Sequence, residues 1–171
     1  MSVTKEYDEW FTKYTNQWLP EWPWLWLKAQ GYAESLLQPD AVSPTGAKGI
    51  MQIEPETWED IKVRLRTIIP WKADIFEPEW NIAGGVYYMA TMRNGWAAPR
   101  PESDRRNLAF ASYNAGFGNI LKAQKKANGV NDYDSIIAKL PMITGKKAQE
   151  TITYVERIET YYNQFVRAEM N

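Results

Sequence analysis

Among its 171 residues the chain has no cysteine and no histidine. The first absence removes disulfides and thiol nucleophiles, the second removes the Ser-His-Asp triad, and together they remove the ordinary zinc site. No metal-ligating set is therefore read from the sequence. An excess charge of either sign is missing as well: 20 Lys and Arg stand against 21 Asp and Glu, a formal net charge of -1. Without a basic excess the chain is not built to hold a phosphate backbone, and no nucleic-acid partner is expected. Long apolar runs are scarce. The most apolar stretch, residues 18–29, is interrupted by Pro20, Glu21, Pro23 and Lys28. It is far shorter than a bilayer span, so no stable membrane insertion is expected. The opening MSVTKEYDEW carries no cationic segment leading into an apolar one, so no cleavable secretion signal is read there. Alternating strand patterns are nearly absent too.

What is present is a composition close to that of a soluble globular protein, 44% hydrophobic and 24% charged, at a length that suits one domain. Helical spacing dominates. Tyr7, Trp10, Phe11, Tyr14 and Trp18 predict an amphipathic helix over residues 3–19, closed by Pro20 and Pro23. A second helix is expected from Trp24 to Glu34 or Ser35, followed by a long loop around Pro39 and Ser43-Pro44-Thr45-Gly46. Pro55 suits the first turn of a third helix carrying Trp58 and Ile61. Further helices are expected over 78–93, stopping at Asn94-Gly95, and over 104–115, 118–127, 133–139 and 146–168. The proline-rich stretch 96–103 reads as an exposed loop. The fold class is therefore all-α, in a single domain spanning 1–171, with 1–23 as an N-terminal helix and proline-containing connection. Trp10, Trp18, Trp24 and Trp58 are assigned first to the core, and the Lys122, Lys125, Lys126 group to a solvated face.

The segment from Glu34 to Gln52 stands out chemically. It leaves a helix end through a loop of small and turn-forming residues, and such loops on a rigid scaffold often line sites. Glu34 would sit at the carbonyl-rich end of its helix, where partial negative charge disfavours a second negative charge. A carboxyl kept protonated is what general acid catalysis requires, although a glutamate at a helix end is more often a solvated surface group.

The run ESLLQPDAVSPTGAKGIMQ over residues 34–52 resembles the signature of the soluble lytic transglycosylases, peptidoglycan-cleaving enzymes with a goose-type lysozyme-like fold. Three more blocks follow in the family's order: NIAGGVYY at 81–88, ASYNAGFG at 111–118 and ETITYV at 150–155. Together they place the family core at 24–165. The resemblance implies that Glu34 is the catalytic acid and base. It makes Ser43 a hydroxyl facing the substrate beside the acid, with a turn serine bracing its own loop as the alternative. Gln52 becomes an amide lining the sugar cleft, or else one bracing the loop. Tyr113 becomes the phenol that contacts the catalytic carboxyl, or else core. Glu150 matches a second acid near the site, or is an N-terminal charge favourable to the last helix dipole. Asn81, Asn114, Gly84, Gly85 and Gly116 read as structural.

One departure is Glu54, which stands where many members carry an apolar methionine near the cleft. A solvated carboxylate is the ordinary reading; pointed inward it would position a water and favour hydrolysis. Tyr154 and Trp96 are candidates for stacking on sugar rings. The resemblance implies cleavage of the β-1,4 bond between N-acetylmuramic acid and N-acetylglucosamine with formation of 1,6-anhydro ends. Bacterial glycan strands are the partner, no metal or organic cofactor is needed, and the chain is expected to act as a monomer. Two rivals are a true lysozyme, in which Glu54 or Asp40 assists a water, and a non-catalytic wall-binding or virion module. The expected setting is a phage-encoded protein made in the cytoplasm that reaches the wall through a holin-type pore or on the particle.

Overall fold

A computed structural model describes residues 2–171. Nine α-helices are described: α1 Asp8–Trp18, α2 Leu25–Ser35, α3 Pro55–Arg64, α4 Pro78–Gly95, α5 Glu102–Ala115, α6 Phe117–Lys126, α7 Tyr133–Ile137, α8 Pro141–Thr144 and α9 Ala148–Met170. A 3₁₀ turn over Gly145–Lys147 precedes α9. Among the described residues the only extended pairing is two isolated antiparallel bridges, Val42 with Lys48 and Lys48 with Ile53. No described helix is long and apolar enough to cross a membrane. The chain divides into two compact units, Met1–Tyr88 with Ile158–Asn171, and Met89–Arg157.

In the first unit α1 packs on α2. The apolar stripe of α1 buries Phe11 and Tyr14, and the helix stops at Leu19, whose N–H reaches the Thr15 carbonyl at 2.8 Å just before Pro20. It begins at Asp8 rather than residue 3, because Lys5 to Asp8 form a turn, with the Asp8 N–H on the Lys5 carbonyl at 3.1 Å. Helix α2 is buried nearly all round, from Trp26 to Tyr32. That burial includes Lys28, whose Nζ lies 2.6 Å from Asp8 Oδ1; an ammonium so enclosed needs such a partner. Trp26 stacks on Tyr162 of α9 with ring centroids 3.7 Å apart. Trp58 is core as expected, whereas Trp10, Trp18 and Trp24 are only half-buried. Trp22 and Trp26 take the deeper places. Helical period marks a face but not how far along it the packing extends.

In the second unit α6 packs against α5, α7 and α8. Trp96 corrects an expectation. The loop after α4 is exposed from residue 97 to 99, but Trp96 itself is 2% exposed, with its Nε1 donating to Ser112 Oγ at 2.9 Å. Its ring lies 5.2 Å from that of Phe117 and its carbonyl accepts from Arg105 Nε at 2.9 Å. An indole that finds both an apolar neighbour and a partner for its N–H is buried at little cost, so it offers no stacking platform. The short α8, with Pro141 in its first turn, was not expected from periodicity, and α9 starts two residues late because Gly145 adopts φ +62 in the preceding 3₁₀ turn.

Candidate active site

Glu34 is the penultimate residue of α2 and is half-buried. The helix ends behind it through Leu36, whose N–H caps the Tyr32 carbonyl at 2.9 Å. Leu36 and Leu37 both take left-handed conformations, with φ +55 and +60, and Gln52 at the far end of the loop has φ +50. Non-glycine residues in this region are strained, and they persist only where their surroundings over-determine them.

The surroundings do so here. Ser35, next to Glu34, shares its hydroxyl proton between the Ile50 carbonyl at 2.8 Å and the Gly31 carbonyl at 3.1 Å, tying the helix end to the returning loop. Lys48 and Ile53 exchange reciprocal backbone bonds at 3.0 Å. The side chain of Asn81, fully buried on α4, makes three bonds to backbone: Oδ1 accepts the Met51 N–H at 2.7 Å, and Nδ2 donates to the carbonyls of Lys48 at 3.0 Å and Ile75 at 2.7 Å. Gly49 makes room for it, since a Cβ there would lie 2.2 Å from Asn81 Nδ2. Likewise a Cβ on Gly85 would lie 2.5 Å from Met51 Cβ. The structural reading of Asn81 and Gly85 thus has a concrete content: α4 carries the loop that follows Glu34.

The other candidates of this loop fall in the same unit. Ser43 is half-buried; its Oγ accepts the Ala47 N–H at 3.0 Å and lies 3.0 Å from Thr45 Oγ1, while its N–H bonds the Ala47 carbonyl at 2.9 Å. Gln52 Nε2 donates to the carbonyls of Ala41 at 3.1 Å and Gly49 at 3.0 Å, which holds its own left-handed backbone. Both side chains therefore brace the loop, and their remaining hydrogen-bonding capacity is on Ser43 Oγ and the Gln52 carbonyl oxygen. Glu54 is exposed at the N-cap of α3; its carbonyl accepts the Trp58 N–H at 2.9 Å, and its side chain makes no cap bond. A cavity of about 420 Å³ lies beside the loop, lined by Pro39 and Asp40 on one side and Asp74, Phe76, Glu77 and Pro78 on the other.

Tyr113, Glu150 and Tyr154 belong to the second unit. Tyr113 is half-buried near the end of α5, Glu150 is exposed in the first turn of α9, and Tyr154 is 6% exposed one turn later. Next to Tyr113, Asn114 Oδ1 accepts the Thr151 hydroxyl at 2.7 Å, and Gly116 at φ +92 separates α5 from α6. Among the described residues no cluster of three or more carboxylates is placed to hold a metal ion.

Sequence reasoning passed over Ser35. Its signal was local, a serine four residues after Gly31 at a helix end, where back-bonding to the i−4 carbonyl is common.

Comparison with known proteins places this site in context. The family model for the transglycosylase SLT domain matches residues 15–136, a span that holds Glu34, Ser43, Gln52, Glu54 and Tyr113. Membrane-bound lytic murein transglycosylase F of Pseudoalteromonas translucida is 29% identical over 181 aligned positions, covering 97% of the chain and 36% of that protein. Its counterpart in Pectobacterium atrosepticum is 33% identical over 153 positions, covering 81% of the chain and 30% of that protein. The chain thus spans about a third of the length of the curated relatives it matches. The 70 kDa soluble lytic transglycosylase of Escherichia coli superimposes with a TM-score of 0.75 at 25% identity, over 96% of this chain and 25% of that one. The all-α, lysozyme-like fold expected from the sequence is the one observed.

Proposed function

The chain belongs to the transglycosylase SLT domain family, and from that premise we propose that it is a peptidoglycan lytic transglycosylase domain with Glu34 as its acid and base. The observation that carries the proposal is the placement of Glu34 at the end of α2, one residue before a strained loop held rigid by Ser35, Gln52 and Asn81. Catalysis gains most from groups fixed before the substrate arrives, and a carboxyl on a buried helix beside a braced loop is such a group.

In the proposed reaction Glu34 gives its proton to the glycosidic oxygen between N-acetylmuramic acid and N-acetylglucosamine as the C1–O bond breaks. The acetamido group of the substrate and nearby dipoles stabilise the oxocarbenium-like species. The Glu34 carboxylate then takes the proton of the C6 hydroxyl, whose oxygen attacks C1 and closes the 1,6-anhydro ring. Because the nucleophile is already part of the sugar, proximity replaces an activated water. Ser43, Gln52, Tyr113, Glu150 and Tyr154 are assigned supporting roles at the acid or along the glycan. Residues 1–171 act as one functional domain and as a monomer on glycan strands of the cell wall, without metal or organic cofactor.

The test is a digest of purified peptidoglycan in oxygen-18 water, read by mass spectrometry. Muramic ends lighter by one water and free of label are expected. Predominantly labelled reducing ends from the parent protein would overturn the transglycosylase reading in favour of a lysozyme. In that case Glu54→Met should remove the label if the exposed carboxylate of Glu54 directs the water.

A further inference from the structure

Residues 62–72 carry Lys62, Arg64, Arg66 and Lys72 and no Asp or Glu, a local basic excess in a chain whose net charge is -1. Within the same eleven residues Trp71 is 66% exposed and Val63 53% exposed, and Arg64, Arg66 and Lys72 are exposed as well. A single exposed apolar side chain needs no explanation, but an exposed indole in a segment that also exposes Arg64, Arg66 and Lys72 is a different composition.

The segment is also held in place. Leu65 and Ile69 are buried beneath it, the N–H groups of Ile68 and Ile69 both reach the Leu65 carbonyl at 2.8 Å, and the Ala73 N–H reaches the Pro70 carbonyl at 2.9 Å. Lys62 lies with its Nζ 4.9 Å from the Trp71 ring centroid and 3.1 Å from Glu59, so its ammonium braces the indole from one side. The α3 dipole accounts for cations in its last turn, Lys62 and Arg64. It does not account for Arg66 and Lys72, which lie beyond that turn.

We propose that residues 62–72 are a peripheral docking site for an anionic phospholipid surface, with Trp71 and Val63 entering the headgroup layer and Arg64, Arg66 and Lys72 meeting lipid phosphates. An indole is apolar in body and polar at its N–H, which suits it to the headgroup level. Exposed cations supply the attraction to an anionic leaflet, and one weak apolar anchor needs that second signal to bind. The inference does not depend on the proposed reaction, since none of these residues is assigned to the glycan.

The test is sedimentation of the whole chain with vesicles of phosphatidylcholine alone and of phosphatidylcholine mixed with phosphatidylglycerol. Binding is expected to the mixed vesicles only, and to weaken as salt is raised. Trp71→Ala should weaken it about tenfold, and Arg64→Gln with Arg66→Gln by roughly fivefold per charge removed. Brominated lipid should quench fluorescence in the parent, with the quenching lost in Trp71→Ala. Both variants alter exposed side chains, and an unchanged melting temperature checks that they fold. Equal binding to the two vesicle types, or binding unaffected by either variant, overturns the proposal. So does loss of retention on purified sacculi in Trp71→Ala with vesicle binding intact, which would assign the surface to wall glycan.

Discussion

The Oδ1 of Asn81 accepts the backbone N–H of Met51 at 2.7 Å, and the same side chain donates to the carbonyls of Lys48 and Ile75. One amide on α4 thus satisfies three backbone groups from two segments. Asn81→Ala leaves them without a partner, each at a cost of about 1–3 kcal/mol if unhydrated. A loss of roughly 2–5 kcal/mol in denaturant unfolding is expected, together with faster amide exchange at Met51. Asn81→Asp keeps the acceptor for Met51 but sets a buried carboxylate oxygen against the Lys48 and Ile75 carbonyls, and should be at least as destabilising as Asn81→Ala. Unchanged exchange at Met51 in the alanine variant would refute the bracing role.

Glu34→Gln keeps the shape of the side chain and removes its transferable proton. Wall cleavage should fall by about 10²- to 10⁴-fold, with helix content and melting temperature nearly unchanged. Turbidity loss of purified sacculi measures the first and circular dichroism the second; equal activity in variant and parent would remove Glu34 from the mechanism.

Ser43 and Tyr113 separate bracing from catalysis. Ser43→Ala removes the acceptor of the Ala47 N–H and should lower stability by about 0.5–1.5 kcal/mol. If the hydroxyl also meets the sugar, turnover falls in addition by roughly ten- to a thousandfold, as it should for Tyr113→Phe. Stability loss without a change in turnover would confine Ser43 to the loop.

Tyr14 makes the alkaline limit of stability testable. Its hydroxyl donates to Glu79 Oε1 at 2.8 Å, and burial, then that bond, raise its pKa well above the ordinary value near 10. A group whose folded pKa is raised contributes stability that is complete below the unfolded value and is lost as pH rises through and beyond it. The melting temperature should therefore decline above about pH 10, and Tyr14→Phe should flatten that decline. Parallel pH curves for variant and parent would exclude Tyr14 as its source.

The helices were legible because their signals are short-range. Pro55 in a first turn and Asn94-Gly95 at a stop act within a few residues, and each matches an observed boundary to within two, whereas the Phe11 and Tyr14 stripe locates the end of α1 but sets its start five residues too early. The position of the loop was legible as well: the turn-forming residues from Pro39 to Gly49 mark the segment that Ser35, Gln52 and Asn81 hold to the helices.

The tertiary structure decided what depends on the path of the chain between distant positions. Whether Trp96 met solvent or Ser112, whether Trp71 was covered, and which backbone groups Asn81 would satisfy thirty residues away are not encoded in any local window. The physical reason is that burial and hydrogen-bond satisfaction are properties of the completed packing. Periodicity selects the face a residue occupies, but only the neighbouring elements determine whether that face is covered and whether a polar atom there finds its partner.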